Sequence, residues 1–203
     1  MEDFNNPESI VEIDTDKPIW DRFFTVAPLV LVGTTEPDGR SDFAPKHMAM
    51  PMGWNNMFGF VCTPKHATYR NADRSGYFTV SFPRPSQVVL SSLASSPRCD
   101  DNTKAVLQAF PTLPAKKIPG EYVANSYLYL GCSLDRIVDG FGDNSLMVGI
   151  VEEAFVARKS LRISESDDLE MIANEPLLAF LAYGYYTEIE KAKAFPLPEG
   201  FSR

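Results

Sequence analysis

The sequence predicts a mainly β protein, a closed or half-open β-barrel with helical additions. Three observations carry this reading. Short β-branched and aromatic runs recur along the chain, turn signals separate them, and helical spacing appears only in brief insertions between strands. A doubly wound parallel sheet would instead alternate strand and helix throughout.

The first strand is Ala27 to Thr35, apolar and β-branched, and Glu36-Pro37-Asp38-Gly39 turns it into a second strand over Arg40 to Ala44. Asn56 to Cys62 reads as a third. Thr63 and Pro64 then open a helix, Thr63 as N-cap and Pro64 at the first helical position, and the helix ends near Gly76. Tyr77 to Phe82 returns to strand chemistry until Pro83 and Pro85 stop it. Helical spacing resumes in Gln87 to Leu93 and in Thr103 to Phe110, the latter with Asp100, Asp101 and Asn102 as capping candidates. After a Pro-rich connection, Glu121 to Val138 alternates as one long strand or two, and Ser145 to Arg158 forms another. Asp167 to Asn174 is a short helix. Leu177 to Ile189 is apolar enough to be buried, as strand or helix.

With 203 residues and 44% hydrophobic side chains, the chain suits one globular domain over residues 1–203 with its own core. Within it, residues 20–160 form the barrel core and 161–203 a C-terminal extension. The balance of 19 Lys and Arg against 27 Asp and Glu, a net charge of -8, opposes a general nucleic-acid binder. Met1 to Asp16 is acidic and lacks the features of an export signal, and the best apolar run, Pro28 to Gly33, is far shorter than the roughly 20 residues of a membrane helix. A cytoplasmic protein without membrane association is expected. Cys62, Cys99 and Cys132 form no Cys-x-x-Cys pair, so neither a disulfide framework nor a metal site is expected. Cys132, inside an apolar strand, reads as a buried small hydrophobe.

Two segments could carry chemistry. At the helix opening near Thr63, free backbone N–H groups and the positive end of the helix dipole favour an anion, with Lys65, His66, Arg70 and the Thr68 hydroxyl close in sequence. The alternative is an ordinary capped surface helix. In Ser41 to Met48 a strand runs into Pro45, which leaves nearby backbone groups available to a ligand's polar edge, and Lys46 and His47 follow.

Taken together, these segments resemble the flavin reductase-like family of FMN-binding split barrels. The resemblance runs from Thr34-Thr35 and Asp38-Gly39 through Ala44-Pro45, the Thr68 to Asn71 pattern and Gly76-Tyr77-Phe78-Thr79-Val80. It continues through Leu130-Gly131-Cys132 and Met147-Val148-Gly149-Ile150-Val151 to Tyr183-Gly184-Tyr185-Tyr186 and Phe195-Pro196.

The resemblance implies a split β-barrel homodimer with FMN at the subunit interface, the C-terminal extension packing on the barrel or on the partner. It implies that Asp42, Phe43, Ala44, Lys46 and His47 line the isoalloxazine and ribityl chain, and that His66, Thr68 and Asn71 grip the phosphate, with Lys65 a further source of charge. Many members carry Asn where Asp42 stands; an acid there accepts from the flavin ring N–H but cannot donate. The implied activity is an NAD(P)H-dependent flavin reductase or oxidoreductase in which bound FMN carries the redox step, with no catalytic protein residue assigned. A non-enzymatic FMN-binding barrel acting as sensor or store is the alternative. No Gly-rich dinucleotide fingerprint is present, so the reduced nicotinamide is expected to visit transiently.

Overall fold

The computed structural model describes residues 10–162 and 168–200. Its centre is an antiparallel seven-stranded sheet curled into a half-barrel. The first strand expected from sequence divides in two around Leu29: β1 (Thr25–Pro28) leaves for a second sheet, and β2 (Val30–Thr35) stays in the main one. Pro28 has no N–H to continue a ladder, which suits a strand ending there. A hairpin then leads to β3 (Ser41–Lys46), its loop closed by hydrogen bonds between Glu36 and both Gly39 and Arg40. Gly39 takes φ 88°, which glycine adopts without the steric penalty of a Cβ.

The short β4 (Ala49–Pro51), unforeseen in the sequence, pairs with β5 (Met57–Cys62) at one sheet edge. The helix α1 (Ala67–Ser75) crosses from β5 to β6 (Tyr77–Phe82), and Gly76 ends it in the left-handed region, its N–H donating to the Ala72 carbonyl. The expected helix start is corrected here. Thr63 and Pro64 belong to a preceding turn, with His66 N–H on the Thr63 carbonyl, and His66 is the N-cap. A turn of 3-10 helix leads into α2 (Val88–Leu93). Of the helix expected over residues 103–110, only a 3-10 segment, Ala105–Ala109, forms.

The Pro-rich connection contributes β7 (Thr112–Pro114), paired with β8 (Glu121–Val123), so residues 121–138 hold two strands. The long hairpin of β9 (Leu128–Phe141) and β10 (Asn144–Val156) follows. Main-sheet order is β3-β2-β6-β9-β10-β5-β4. α3 (Asp168–Asn174) fulfils the expected short helix; Asp167 lies outside the described residues. The ambiguous C-terminal run resolves as a hairpin of β11 (Leu177–Ala182) and β12 (Tyr185–Ile189), and β11 also pairs with β1. Among the described residues no helix is long and apolar enough to cross a membrane.

The alternation of side chains along β2 divides the interior. Val30 and Val32 enter a core with Phe58, Phe60, Phe78, Val80, Cys132 and Met147, while Leu31 enters a second core with Phe43, Phe110 and Val123. Fully burying a side chain of this size stabilises the fold by about 1.5–3 kcal/mol. Cys132 has no exposed surface and burial pushes its thiol up to about 12, in keeping with a packing role. The second core anchors the segment between α2 and β7 to the outer side of β2 and β3, which brings that segment beside the β3 edge.

Candidate functional site

At the β3 edge, the end of β3, the turn into α1 and the segment after α2 enclose a cleft of about 450 Å³. Asp42, Ala44 and Lys46 face it from β3, two apart as strand geometry requires. Opposite them lie Lys65, His66 and Thr68, so both sequence-expected segments reach one cavity although β4 and β5 separate them in the chain. The other three expected residues sit elsewhere. Phe43 is turned into the second core, stacked on Phe110 with ring centroids 6.0 Å apart. Asn71 is buried a helical turn deeper and donates to Thr34 Oγ1 at 3.3 Å, fixing α1 to β2. His47 packs against Phe180, ring centroids 4.9 Å apart, in an adjoining cleft.

The third wall carries residues that sequence reasoning missed. Arg98 and Lys104 project into the cleft from the segment between α2 and the 3-10 turn. Arg98 Nη2 lies 2.5 Å from Glu36 Oε1 and 3.1 Å from Asp42 Oδ1, and its Nη1 donates to the Asn102 carbonyl at 2.7 Å. Lys104 Nζ donates to the Ala94 carbonyl at 2.9 Å and lies 3.6 Å from Asp42 Oδ1. The loop between them is shaped by Asp101, whose carboxylate accepts the Thr103 N–H and hydroxyl. Asp101, expected as a helix cap, thus closes a turn. Arg98 and Lys104 stand about sixty residues from their β3 partners; no local motif announces them.

Electrostatically the cleft opposes the rest of the molecule. In a chain of net charge -8, it gathers Lys46, Lys65, Arg70, Arg98 and Lys104 around Asp42, the single carboxylate among the described residues that line it. Several of these cations are already engaged. Lys65 pairs with Asp143 at 2.9 Å, and Arg70 donates to the Lys65 carbonyl at 2.6 Å, bracing the turn before α1. Lys46 Nζ has only the Cys62 sulfur, at 3.4 Å, and among the described residues no carboxylate within ion-pair distance. The α1 N-terminus adds its dipole: no acid lies in its first turn and no side chain caps it.

Burial and the neighbouring cations Lys46, Lys104 and Arg70 hold His66 below the ordinary histidine pKa, so it is a neutral donor or acceptor near pH 7. Burial, then Lys46, lowers His47 likewise. For Asp42, 2% exposed, burial outweighs the attraction of Lys104 and Arg98 and raises its pKa. Its Oδ1 is buried with no aligned hydrogen bond among the described residues, close as the two cations are.

The adjoining cleft, about 560 Å³, shares Pro45 and Ser95 with the cationic one. Val88, Val89, His47, Phe180, Tyr185 and Tyr186 make it mostly apolar and aromatic. An anionic group and a flat aromatic one would find their environments in adjoining clefts, each in the usual ligand-pocket size range.

The model of the flavin reductase-like domain family matches residues 23–180. The chain belongs to the flavin reductase-like family. Its split-barrel fold recurs in solved structures of low sequence identity. Nitrilotriacetate monooxygenase component B from Bacillus cereus is 18% identical, with a TM-score of 0.77 over 93% of this chain and 98% of that one. An FMN-binding protein from Thermus thermophilus is also 18% identical, with a TM-score of 0.69 over 85% of this chain and 91% of that one. An NADH:FAD oxidoreductase of Streptomyces globisporus is 10% identical, with a TM-score of 0.64 over 80% and 86%. No curated protein matched in sequence. The family's flavin chemistry thus falls on a chain whose structure offers a cationic cleft beside an aromatic one.

Proposed function

We propose that this flavin reductase-like protein binds FMN across the paired clefts and reduces it at the expense of NADH or NADPH. The observation that carries the proposal is the adjacency of a cationic cleft and an aromatic one, which share Pro45 and Ser95 in their walls. The donor set fits a phosphate monoester: Lys46 supplies an unneutralised charge, Thr68 a hydroxyl, His66 a neutral ring nitrogen and α1 its N-terminal N–H groups. Asp42, its buried Oδ1 lacking an aligned donor, sits between Arg98 and Lys104 on the wall of the cationic cleft. His47, Phe180 and Tyr186 offer surfaces for the ring system.

Flavin held there by Lys46, His66 and Thr68 would supply the redox chemistry that oxidises reduced nicotinamide. The protein's part is to hold, orient and desolvate. Arg98 and Lys104, locked to Glu36, Asp42 and backbone carbonyls, set the cleft wall before any ligand arrives. A single phosphate suits one cationic cleft, which favours FMN over FAD.

The partner completing the aromatic side is a second copy of the chain. Val26 and Tyr185, 71% and 61% exposed on the β1-β11-β12 sheet, and Phe24 just before β1, 69% exposed and packed on the Tyr185 ring, form an apolar surface that a homodimer would cover beside the proposed ring site. The test is steady-state oxidation of NADH and of NADPH with and without added FMN, together with the mass in solution. Flavin-dependent oxidation by a dimer is expected. A dimer that binds FMN but oxidises neither nucleotide would instead identify a flavin sensor or store.

A further inference from the structure

Resting on the FMN reading and deepening it, we infer that Asp42 makes the cationic cleft a proton-coupled site that sorts ligands by charge. It takes up a proton when a dianionic phosphate ester enters, and opposes that ligand while it stays ionised.

The geometry gives the reason. Among the described residues Asp42 is the one carboxylate lining the cationic cleft, and the cations it approaches, Arg98 and Lys104, are two that an entering phosphate would also engage. A dianion and Asp42 must then share the same positive charges, and two anions on shared cations favour protonation of one of them. Asp42 is the group prepared for it, because burial has already raised its pKa in the free protein. Protonation does not dismantle the wall. Arg98 keeps Glu36 and the Asn102 carbonyl, and Lys104 keeps the Ala94 and Phe43 carbonyls. The protonated carboxyl also gains an O–H that a phosphate oxygen can accept.

Other charged groups face Asp42 and are part of the balance. Glu36, at the end of β2, adds a like charge; Lys46 lies on the same strand; Lys65, His66 and Arg70 face it across the cleft. Arg40 and Glu121 line a further cleft of about 560 Å³ that shares Asp42, Arg98 and Lys104 with the first. His66 can also take up a proton near a phosphate, and the ligand phosphate itself titrates near pH ~6. The contribution of Asp42 is therefore the difference between the protein and Asp42→Asn, which share everything else.

The experiment is calorimetric titration with FMN and with riboflavin, at several pH values and in two buffers of different ionisation enthalpy, on the wild type and on D42N. Wild type is expected to take up more protons per FMN than D42N, by up to one. D42N is expected to bind FMN more tightly above the Asp42 titration, by roughly tenfold for each unit that the ligand moves its pKa, and equally well below it. Riboflavin, lacking the phosphate, should show neither difference. Proton uptake by the wild type equal to that of folded D42N, or weaker FMN binding by D42N, would overturn the inference. Should D42N fail to fold, the wild type decides alone: more uptake with FMN than His66 and the ligand supply together upholds the inference, and no uptake above that overturns it. Binding of riboflavin but not FMN by both proteins would overturn the phosphate site itself.

Discussion

Replacing Lys46 with Met tests the phosphate site most sharply, because among the described residues Lys46 has no carboxylate within ion-pair distance, and Arg70, the other cleft cation without one, is committed to the Pro64 and Lys65 carbonyls. Lys65 is paired with Asp143, while Arg98 and Lys104 sit against Asp42 and Glu36. Met keeps the stem beside Val30 and removes only the charge and its donors. Two unit charges about 4 Å apart interact by about 4 kcal/mol at an effective dielectric of about 20. Lys46 is only part-buried, so solvent screening reduces this toward the 1.5–3 kcal/mol typical of a charge-assisted hydrogen bond, about 10- to 150-fold in Kd. Quenching of flavin fluorescence reads the affinity directly. K46M should weaken FMN by that factor and leave riboflavin within about twofold, since riboflavin has no phosphate to lose. Equal losses for both flavins, or no loss for FMN, would show that Lys46 does not meet the phosphate.

Three further outcomes follow from the same structure. Of the three thiols, Cys99 is exposed and Cys62 and Cys132 are buried, so a disulfide reagent should modify one thiol per native chain quickly and the others only on unfolding. A Cβ at Gly149 would sit 2.6 Å from the Phe78 ring and 2.8 Å from the Ser133 carbonyl, so Gly149→Ala should cost about 1–3 kcal/mol of overpacking and lower Tm by several degrees in a thermal melt. His47 and His66 have pKa values lowered by burial first and cations second; their unfolded forms therefore take protons first. The stability they contribute is complete above about pH 6.5 and is lost as pH falls from there through the lowered folded values. A variant with both replaced by Gln should show a flatter stability profile across that window in urea denaturation.

The strands of the half-barrel were legible because alternation and turn residues are local. Tyr77 to Phe82, the Asp38-Gly39 turn and the β9–β10 hairpin fall where their own chemistry puts them. The start of α1 was misplaced because Thr63 and Pro64 suit a first helical turn equally well as they suit the tight turn that precedes it. What decides between them is the bracing of that turn by Arg70, a side chain from inside the helix. β11 and β12 were ambiguous for another reason. Leu177 to Ala182 is a continuous apolar run that pairs on one side with the neighbouring β12 but on the other with β1, some 150 residues earlier.

The same distinction governs the site. Lys65, His66 and Thr68 were found because a helix start is a local signal, whereas Asp42, Ala44 and Lys46 came from the family resemblance carried by the strand and its Ala44-Pro45 step. Phe43 and Asn71 share those segments but point away from the cleft, since the strand period turns Phe43 to the opposite face and the helix carries Asn71 toward β2. Arg98 and Lys104 were invisible: an arginine and a lysine flanking an acidic turn look like solvated charges until the second core draws that segment against β3.

The central claim is that the two clefts together hold FMN. It is tested most directly by purifying the protein without added flavin, removing and weighing any bound ligand, and titrating the stripped protein with FMN. The account predicts FMN as the released ligand, or saturable rebinding of FMN more tightly than riboflavin. A colourless protein that also fails to bind added FMN would contradict it.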